Sequence, residues 1–503
     1  MLCVSLLIVT LDNTILNVAL PTLVRDLSAT TTELQWIVDA YILVFAGLLL
    51  AAGSLADRVG RKRTFLIGLT LFAAGSAWAA FSGSVDLLIA ARASMGIGGA
   101  LIMPSTLAII TDMFREPGER QRAIGLWAAT SGVGIALGPL IGGLLLDHFW
   151  WGSVFLLNVP VAAAGVAFAL PLVPNSRNDQ AKQPDVVGAA LSVAGLGLLV
   201  WAIIEAPANT WASARVLAAG CSGLLVLAGF VWWERRSSHP MLELGFFRRR
   251  AFSGAVPSVA FVMFGLFSAL FLLTQYLQFV LGYSPFAAGI RALPAAGAIA
   301  VVAPLSALLI AAVGTRITMT AGLCVISGGL WQLSTTTTGS SYGDIVPGLI
   351  LLGVGAGLAI PAATGSVMGS LPQQHTGVGG GTNGAFLQVG GALGVAVVGS
   401  LLATRYQDRI ASVLPASMPR ATRDTILGSI GGAQQVAARV GGASGQALNQ
   451  AAKAAFVNGM TLGFTVATPV AAAAAVIAFV VLPARRRRVT SLPPAGETPR
   501  QAA

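Results

Sequence analysis

The sequence predicts an all-α polytopic membrane protein, and three observations carry that reading. Of the 503 residues, 55% are hydrophobic and only 10% are charged, with a mean hydropathy of +0.79. Soluble domains carry about 25% charge, so a soluble globular protein is excluded. A helix needs roughly 20 apolar residues to cross the hydrocarbon core, so the apolar residues would fill on the order of 14 spans. Glycine, at 60 residues or about 12% against a usual ~7%, is hard to reconcile with a lipid-facing β-barrel. It suits helices whose backbones pack closely.

Apolar runs between charged or turn-rich breaks place the spans at 1–23, 34–52, 64–82, 86–110, 121–146, 152–173, 185–206, 212–233, 252–280, 286–311, 317–338, 345–368, 377–403 and 456–482. That makes fourteen. The first run begins at Met1 and lacks a small-residue cleavage site followed by a polar mature domain, so it reads as a span and not as a removable signal peptide. With the amino terminus inside, the inner loops and tail hold Arg58, Arg61, Lys62, Arg63, Arg115, Arg120, Arg122, Arg177, Lys182, Arg235, Arg236, Arg248, Arg249, Arg250, Arg316, Arg485 to Arg488 and Arg500, which is 20 of the 30 cations. The short outer loops hold only Arg25 and Arg215. The positive-inside rule then puts both termini in the cytoplasm and the protein in the cell membrane. The formal charge of +11 is therefore an orientation signal, and no nucleic-acid partner is expected. Cys3, Cys221 and Cys324 all lie in apolar stretches and read as packing residues, not as a disulfide framework.

Three segments interrupt the alternation of spans and short loops. Residues 174–184, PNSRNDQAKQP, form a polar linker; 234–251 is a basic connector; 404–455 is rich in Ala, Gly, Gln and Arg and reads as short outer amphipathic helices. The expected organisation is an amino-terminal six-helix bundle (1–173), a linker with two inserted helices (174–251), a carboxy-terminal six-helix bundle carrying the outer loop 404–455 (252–482), and a basic cytoplasmic tail (483–503). A faint internal repeat supports this 6+2+6 plan, because Gly53 to Thr64 and a decayed stretch, Ala311 to Thr318, each follow the second span of a half.

Between spans two and three stands GSLADRVGRKRT, Gly53 to Thr64. Glycines permit a tight turn, and Asp57 with its neighbouring cations can pair with helix ends of the opposite half, latching one of two arrangements. Gly53, Leu55, Asp57, Arg58, Gly60, Arg61 and Lys62 fit the signature loop of the major facilitator superfamily, which this stretch resembles. In span five, SGVGIALGPLIGG places Gly134, Gly138 and Gly142 four residues apart, with Pro139 and Gly143 alongside. Such a strip lets another helix approach closely and supplies a bend. It resembles the motif of the antiporter branch of that superfamily.

Span one carries LDNTILNVALP, Leu11 to Pro21, and span two carries WIVDAYILVFA, Trp36 to Ala46. Asp12 and Asp39 thus lie inside apolar helices, where an ionisable residue costs ~2.5 to 3.5 kcal/mol and is a functional-site hypothesis by default. At 1.5 Å per residue, Asp12 lies ~17 Å from the inner end of its span, Asp39 ~8 Å from the outer end of its own, and Arg92 ~9 Å below the outer end of span four. One cation and two acids are therefore expected to share the outer half of one cavity.

These segments, with SPFAAGIRALP (Ser284 to Pro294) and GALGVAVVGSL (Gly391 to Leu401), resemble the fourteen-span drug:proton antiporters, and LDNTI with WIVDAY is close to the quaternary-ammonium and multidrug efflux pumps among them. The resemblance implies a major facilitator fold with Asp12 as a proton-coupling or substrate carboxylate, Arg92 as a gate or proton-transfer partner in that coupling, and Asp39 in cation recognition, beside Asn17 and Tyr41. The chain departs from those pumps where they carry further acids, in spans ten and thirteen. Here the stretches read PAAGAIAVVAP and GGTNGAFLQVGG, leaving Asn383 and Gln388 as polar candidates, so dicationic substrates are less favoured than neutral or monocationic ones.

Other signals are weak. Gly379, Gly381 and Gly384 satisfy GxGxxG but follow no strand, and no GxxxxGK[ST] supplies an ATP motor. His148, His239 and His375 have no metal-site spacing, so no metal is expected. Trp150/Trp151 and Trp232/Trp233 read as interfacial belts, and Glu205 as a solvated interface residue. The expected protein is a monomeric, non-enzymatic exporter in membrane lipid that exchanges protons for a small-molecule drug or antibiotic and needs no cofactor beyond the proton gradient. An uptake permease of the same fold is the nearest alternative; a membrane-embedded enzyme or receptor would need a water-facing constellation that 404–455 does not offer.

Overall fold

Apolar residues cover most of the helices all round instead of forming one stripe. Leu225, Leu308 and Val480 are more than 60% exposed, an arrangement that only a hydrocarbon solvent tolerates over so many helices. The computed structural model describes residues 1–114, 116–177, 183–371, 376–415 and 417–484. Arg115, Lys182, His375, Arg485 to Arg488 and Arg500 lie outside the described residues, as does the tail from 485 on.

The first six spans are α1 (Leu2–Leu27), α2 (Thr31–Val59), α3 (Arg61–Ala80), α4 (Val85–Met113), α5 (Pro117–His148) and a sixth broken into α6 (Ser153–Leu156) and α7 (Asn158–Leu172). Two more, α8 (Val186–Asn209) and α9 (Ala214–Arg236), precede the connector. Then come α10 (Arg250–Gln275), continued by a π-helical stretch over Tyr276–Val280, α11 (Pro285–Val313), α12 (Thr315–Ser334), α13 (Tyr342–Gly369), α14 (Thr376–Ala411), α15 (Arg420–Gly428), α16 (Ile430–Val440) and α17 (Gly442–Val481). Among the described residues, fourteen helices are long and apolar enough to cross a membrane.

Local chemistry sets many of the starts. Thr30 and Glu33 form a capping box at α2, as Ser341 and Asp344 do at α13. Ser84, Asp185, Ser213 and Ser284 cap α4, α8, α9 and α11 through their side-chain oxygens. Each cap satisfies an amide that has no partner within its helix.

Helices α1, α2, α4, α10 and α14 supply the buried centre of the bundle, and α8 packs on both α2 and α14 while α9 packs on α8. α8 therefore lies along the contact between α2 and α14, with α9 outside it. Ser400 Oγ donates to Ile203 O at 2.7 Å, and Trp36 Nε1 donates to Glu205 Oε1 at 3.3 Å, so Glu205 is a hydrogen-bonded seam residue instead of a solvated one.

At the end opposite Met1 and the last turn of α17, which we call the far end, the first six spans are tied to later ones. Gln35 Nε2 donates to Val395 O (3.2 Å) and Ala396 O (2.8 Å), Gln278 Nε2 to Val18 O (2.9 Å), and Ser284 Oγ to Asp147 Oδ2 (2.9 Å). The last two membrane helices run past their expected ends, so that α14 reaches Ala411 and α17 begins at Gly442. Between them α15 and α16 fold over the far ends of α1 and α2: Thr31 Oγ1 donates to Gly428 O at 3.3 Å and Gln435 Nε2 to Arg25 O at 3.1 Å.

The tryptophan pairs are not uniform belts. Trp232 is exposed under Arg236, whose guanidinium carbon lies 4.4 Å from the ring centre. Its neighbour Trp233 turns inward and donates to the Asp185 carboxylate at 2.9 Å. Trp151 likewise is buried against Phe155 while Trp150 is exposed. Successive residues on a helix point about 100° apart, and Trp233 is the one turned toward α8, where Asp185 caps the helix.

Candidate functional site

Asp12 sits on α1 two residues before Thr14, where α5 comes close, and Arg92 reaches it from α4. Both are buried, 0% and 1% exposed. Arg92 Nη1 donates to Asp12 Oδ2, Arg92 Nε donates to Ile37 O at 3.1 Å, and the guanidinium carbon lies 4.4 Å from the Tyr41 ring centre and 5.9 Å from that of Phe155. On the other side, Asn158 Nδ2 donates to Asp12 Oδ1 at 3.1 Å and to Ser76 Oγ at 3.2 Å. Five spans thus converge on one ion pair. Removing either partner would strand a buried charge, a far larger penalty than loss of a surface pair.

Asp39 is brought near the pair but not into it. It is 0% exposed, and neither carboxylate oxygen has a hydrogen-bond partner among the described residues. The Tyr41 hydroxyl is also buried and unpartnered. In this arrangement the far ends are hydrogen-bonded together and both acids are buried. Chemically, an unpaired carboxylate in a dry site needs a cation or a proton beside it.

The remaining substrate candidates are dispersed. Asn17 Nδ2 donates to Asn13 O at 3.1 Å and Asn383 Nδ2 to Thr364 Oγ1 at 3.3 Å, each leaving its side-chain oxygen unpartnered. Gln388 is half-buried. Neighbouring Gly384 faces Leu49, ten residues and thus roughly 15 Å along α2 from Asp39. Asp39, Asn17, Tyr41, Asn383 and Gln388 make no side-chain hydrogen bonds to one another.

The signature loop is held by two ion pairs and a backbone contact. Arg61 Nε binds Asp57 Oδ1 at 2.9 Å and Arg61 Nη1 binds Asp112 Oδ1 at 3.4 Å. Lys62 Nζ donates to Leu170 O at 2.6 Å, and Arg58 is exposed. Among the described residues these partners all belong to the first six spans, so in this arrangement the loop ties α2, α3, α4 and α7 together. Gly60 makes the turn at φ +119°, which a side chain would strain, while Gly53 only approaches Pro104. A half-exposed pair contributes ~0.2 to 1 kcal/mol. Asp57→Asn should therefore leave expression and melting nearly unchanged while lowering turnover severalfold, because it loosens the tie between α2 and α3 that keeps this end of the first spans stiff. Wild-type transport by the variant in proteoliposomes would contradict this.

The glycine strip has two faces. A side chain at Gly138 would meet Thr14 Cβ at 2.8 Å, and one at Gly142 would meet Ile15 Cγ1 at 2.6 Å; Gly134 likewise abuts Thr10, and Thr14 Oγ1 donates to Gly134 O at 3.4 Å. Those three bring α1 against α5. Gly143 points elsewhere, with Phe286 Cα 2.5 Å and Pro285 O 2.7 Å from where its Cβ would stand, and Pro139 O abuts Gly289. That second contact joins α5 to α11 across the two halves at the far end.

Residues 2–395 match the sequence profile described as Major Facilitator Superfamily. The chain belongs to that superfamily. Among relatives in this superfamily, it is 36% identical over 481 residues to the tetracenomycin C resistance and export protein of Streptomyces glaucescens, covering 94% of this chain and 89% of the relative. It is 35% identical over 463 residues to the multidrug efflux pump LfrA of Mycolicibacterium smegmatis, covering 91% and 90%. The fold matches the crystal structure of a bacterial homologue of the human lysosomal transporter Spinster, inward-facing and unoccupied, with TM-score 0.63, 17% identity and 96% of each chain covered.

Asn158, Ser76, Gln35 and Gln278 were not singled out from the sequence. Asn158 did carry a signal, as a lone amide inside an otherwise apolar span.

Proposed function

We propose that this superfamily member is a proton-coupled antiporter that exports lipophilic drugs or antibiotics, monocationic or neutral, from the cytoplasm. One observation carries the reading: a buried carboxylate without a partner, Asp39, lies one helix away from a carboxylate already matched by a cation, Asp12 with Arg92. The matched acid suits proton exchange and the unmatched one suits attraction of a cationic substrate, since charge pairs are worth several-fold more in a dry site than in water. The relatives' names, a resistance and export protein and a multidrug efflux pump, support the substrate class.

In this reading the six-helix halves, 1–173 and 252–482, rock about the site, with the inserted pair over the α2/α14 seam and the signature loop stiffening the first half. The proton gradient supplies the energy, the termini are cytoplasmic, the far end faces outward, and the monomer is the working unit in the cell membrane. Opening the far end requires breaking the Gln35, Gln278 and Ser284 bonds; the two amide-to-carbonyl bonds contribute about 1 kcal/mol each, and the exposed Ser284 hydroxyl exchanges the Asp147 carboxylate for water, so each can break in every cycle.

The test is cellular accumulation of ethidium and of one neutral antibiotic. Expression of the protein should lower both, and a protonophore should restore both. Asp39→Asn should then lose ethidium export by roughly tenfold while sparing the neutral compound, a difference of the size expected for one charge pair in a partly dry site. Equal loss of both compounds would make Asp39 the proton carrier; no loss of either would remove it from the site.

A further inference from the structure

We propose that Asn158, with Ser76 behind it, is a positioning residue that fits Asp12 in both of its protonation states. The inference rests on the reading of Asp12 as the group that exchanges protons. An acid that cycles between carboxylate and carboxylic acid changes its hydrogen-bonding needs. As carboxylate it only accepts; as acid it also presents one O–H that must find an acceptor. Arg92 serves the first state alone, because a guanidinium has donors and no acceptor.

Asn158 can serve both. Its Nδ2 now donates to Asp12 Oδ1 at 3.1 Å and to Ser76 Oγ at 3.2 Å. Its Oδ1 is buried and has no partner, and the residue is 0% exposed. The two ends of an amide are nearly the same size, so a half-turn of the group conserves packing while placing Oδ1 where Nδ2 stood. There it accepts the new O–H of protonated Asp12, and the Ser76 hydroxyl, which can accept or donate, switches to donating. The end that points away finds no partner in either orientation, so that side does not dictate which one is adopted.

The proton balance is simple. One proton adds to Asp12 from the outside and leaves toward the inside, and Asn158 and Ser76 neither gain nor lose one. The charged or titratable groups around Asp12 are Arg92 from α4 and Tyr41 from α2, whose ring lies under the Arg92 guanidinium. From α3 comes Ser76 and from α6 the Phe155 ring, neither titratable. α5 meets this stretch of α1 with Gly134 and Gly138, and the α10 continuation reaches α1 through Gln278, also not titratable.

The experiment uses the full-length protein in proteoliposomes, reading drug-driven proton exchange against pH for wild type, Asn158→Leu, Asn158→Ser, Ser76→Ala and Asp12→Asn. Ethidium binding in detergent is measured in parallel as the check that each variant is folded. Asn158→Leu keeps the shape but can neither donate nor accept; its maximal exchange rate should fall roughly tenfold or more at every pH, the scale of one hydrogen bond to a charged group, with ethidium affinity held within a few-fold. Asn158→Ser, which donates and accepts, should recover most of the rate, and Ser76→Ala should show a smaller loss. A variant Asn158→Leu that retains the maximal rate, with or without a displaced pH optimum, overturns the proposal. So does a loss that Asn158→Ser fails to rescue, which marks Asn158 as packing only. The underlying reading fails separately: if Asp12→Asn still exchanges protons for drug, Asp12 is not the coupling group, whatever the Asn158 variants do.

Discussion

Asp12→Asn is expected to abolish proton-driven efflux altogether while the protein still inserts. The substitution removes the carboxylate paired with Arg92 and leaves that guanidinium with Ile37 O, Met95 Sδ and the Tyr41 and Phe155 rings, none of which carries a charge. Breaking a buried pair costs ~3 to 5 kcal/mol, so some loss of thermal stability accompanies the loss of coupling. The two effects separate in a second variant. Arg92→Gln combined with Asp12→Asn removes both charges and should regain stability without regaining transport. The measurement is acidification or alkalinisation of the vesicle lumen on substrate exchange, normalised to protein that is monodisperse in detergent. Proton-coupled exchange by Asp12→Asn at even a tenth of the wild-type rate would remove Asp12 from the coupling role.

Gly143→Ala should trap the transporter away from the arrangement described above. The added methyl would stand 2.5 Å from Phe286 Cα and 2.7 Å from Pro285 O, backbone atoms of the opposite half that cannot rotate aside. Overpacking of this kind costs about 1 to 3 kcal/mol, which changes the ratio of closed to open far ends by a factor of roughly 5 to 150. Folding within each half is untouched, because the clash exists only when α5 and α11 meet. Turnover should fall at least tenfold, and a cysteine placed beside Gln35 should label faster from the far side than in the parent. Gly125→Ala is the control: nothing lies within 4 Å of its Cβ position, so it should behave as wild type. Equal labelling and equal turnover in Gly143→Ala would show that the close approach is not made during the cycle.

Much of the architecture was legible in the sequence because lipid imposes one rule on every span: the backbone must satisfy itself, so apolar runs of sufficient length become helices. The ionisable residues of the site were legible for the same reason, since Asp12, Asp39 and Arg92 each interrupt such a run at visible cost. The strip Gly134, Gly138, Gly142 declared a face by its spacing. Neutral amides declared themselves only weakly. Asn158, Gln35 and Gln278 cost little inside a helix, and nothing in their spacing shows whether they face lipid, a neighbour or the site.

The signature loop shows the limit in one residue. Asp57 and Arg61 are one helical turn apart, so their pairing is local and readable, whereas Asp112 arrives from the last turn of α4, a contact that no spacing in the chain announces. Gly143 shows the same limit: its neighbour Gly142 meets α1, and a rotation of about 100° points Gly143 at α11, a helix that is more than 130 residues away in the chain.

By itself, then, the sequence determined which segments enter the membrane, where charge is buried within them and where helices come close, because hydrocarbon taxes polarity residue by residue. The tertiary structure alone decided that Arg92 belongs to Asp12 and leaves Asp39 without a partner. Pairing in a dry interior depends on contact at hydrogen-bond distance between helices, and two acids of similar cost in the chain become different groups only when one guanidinium reaches one of them.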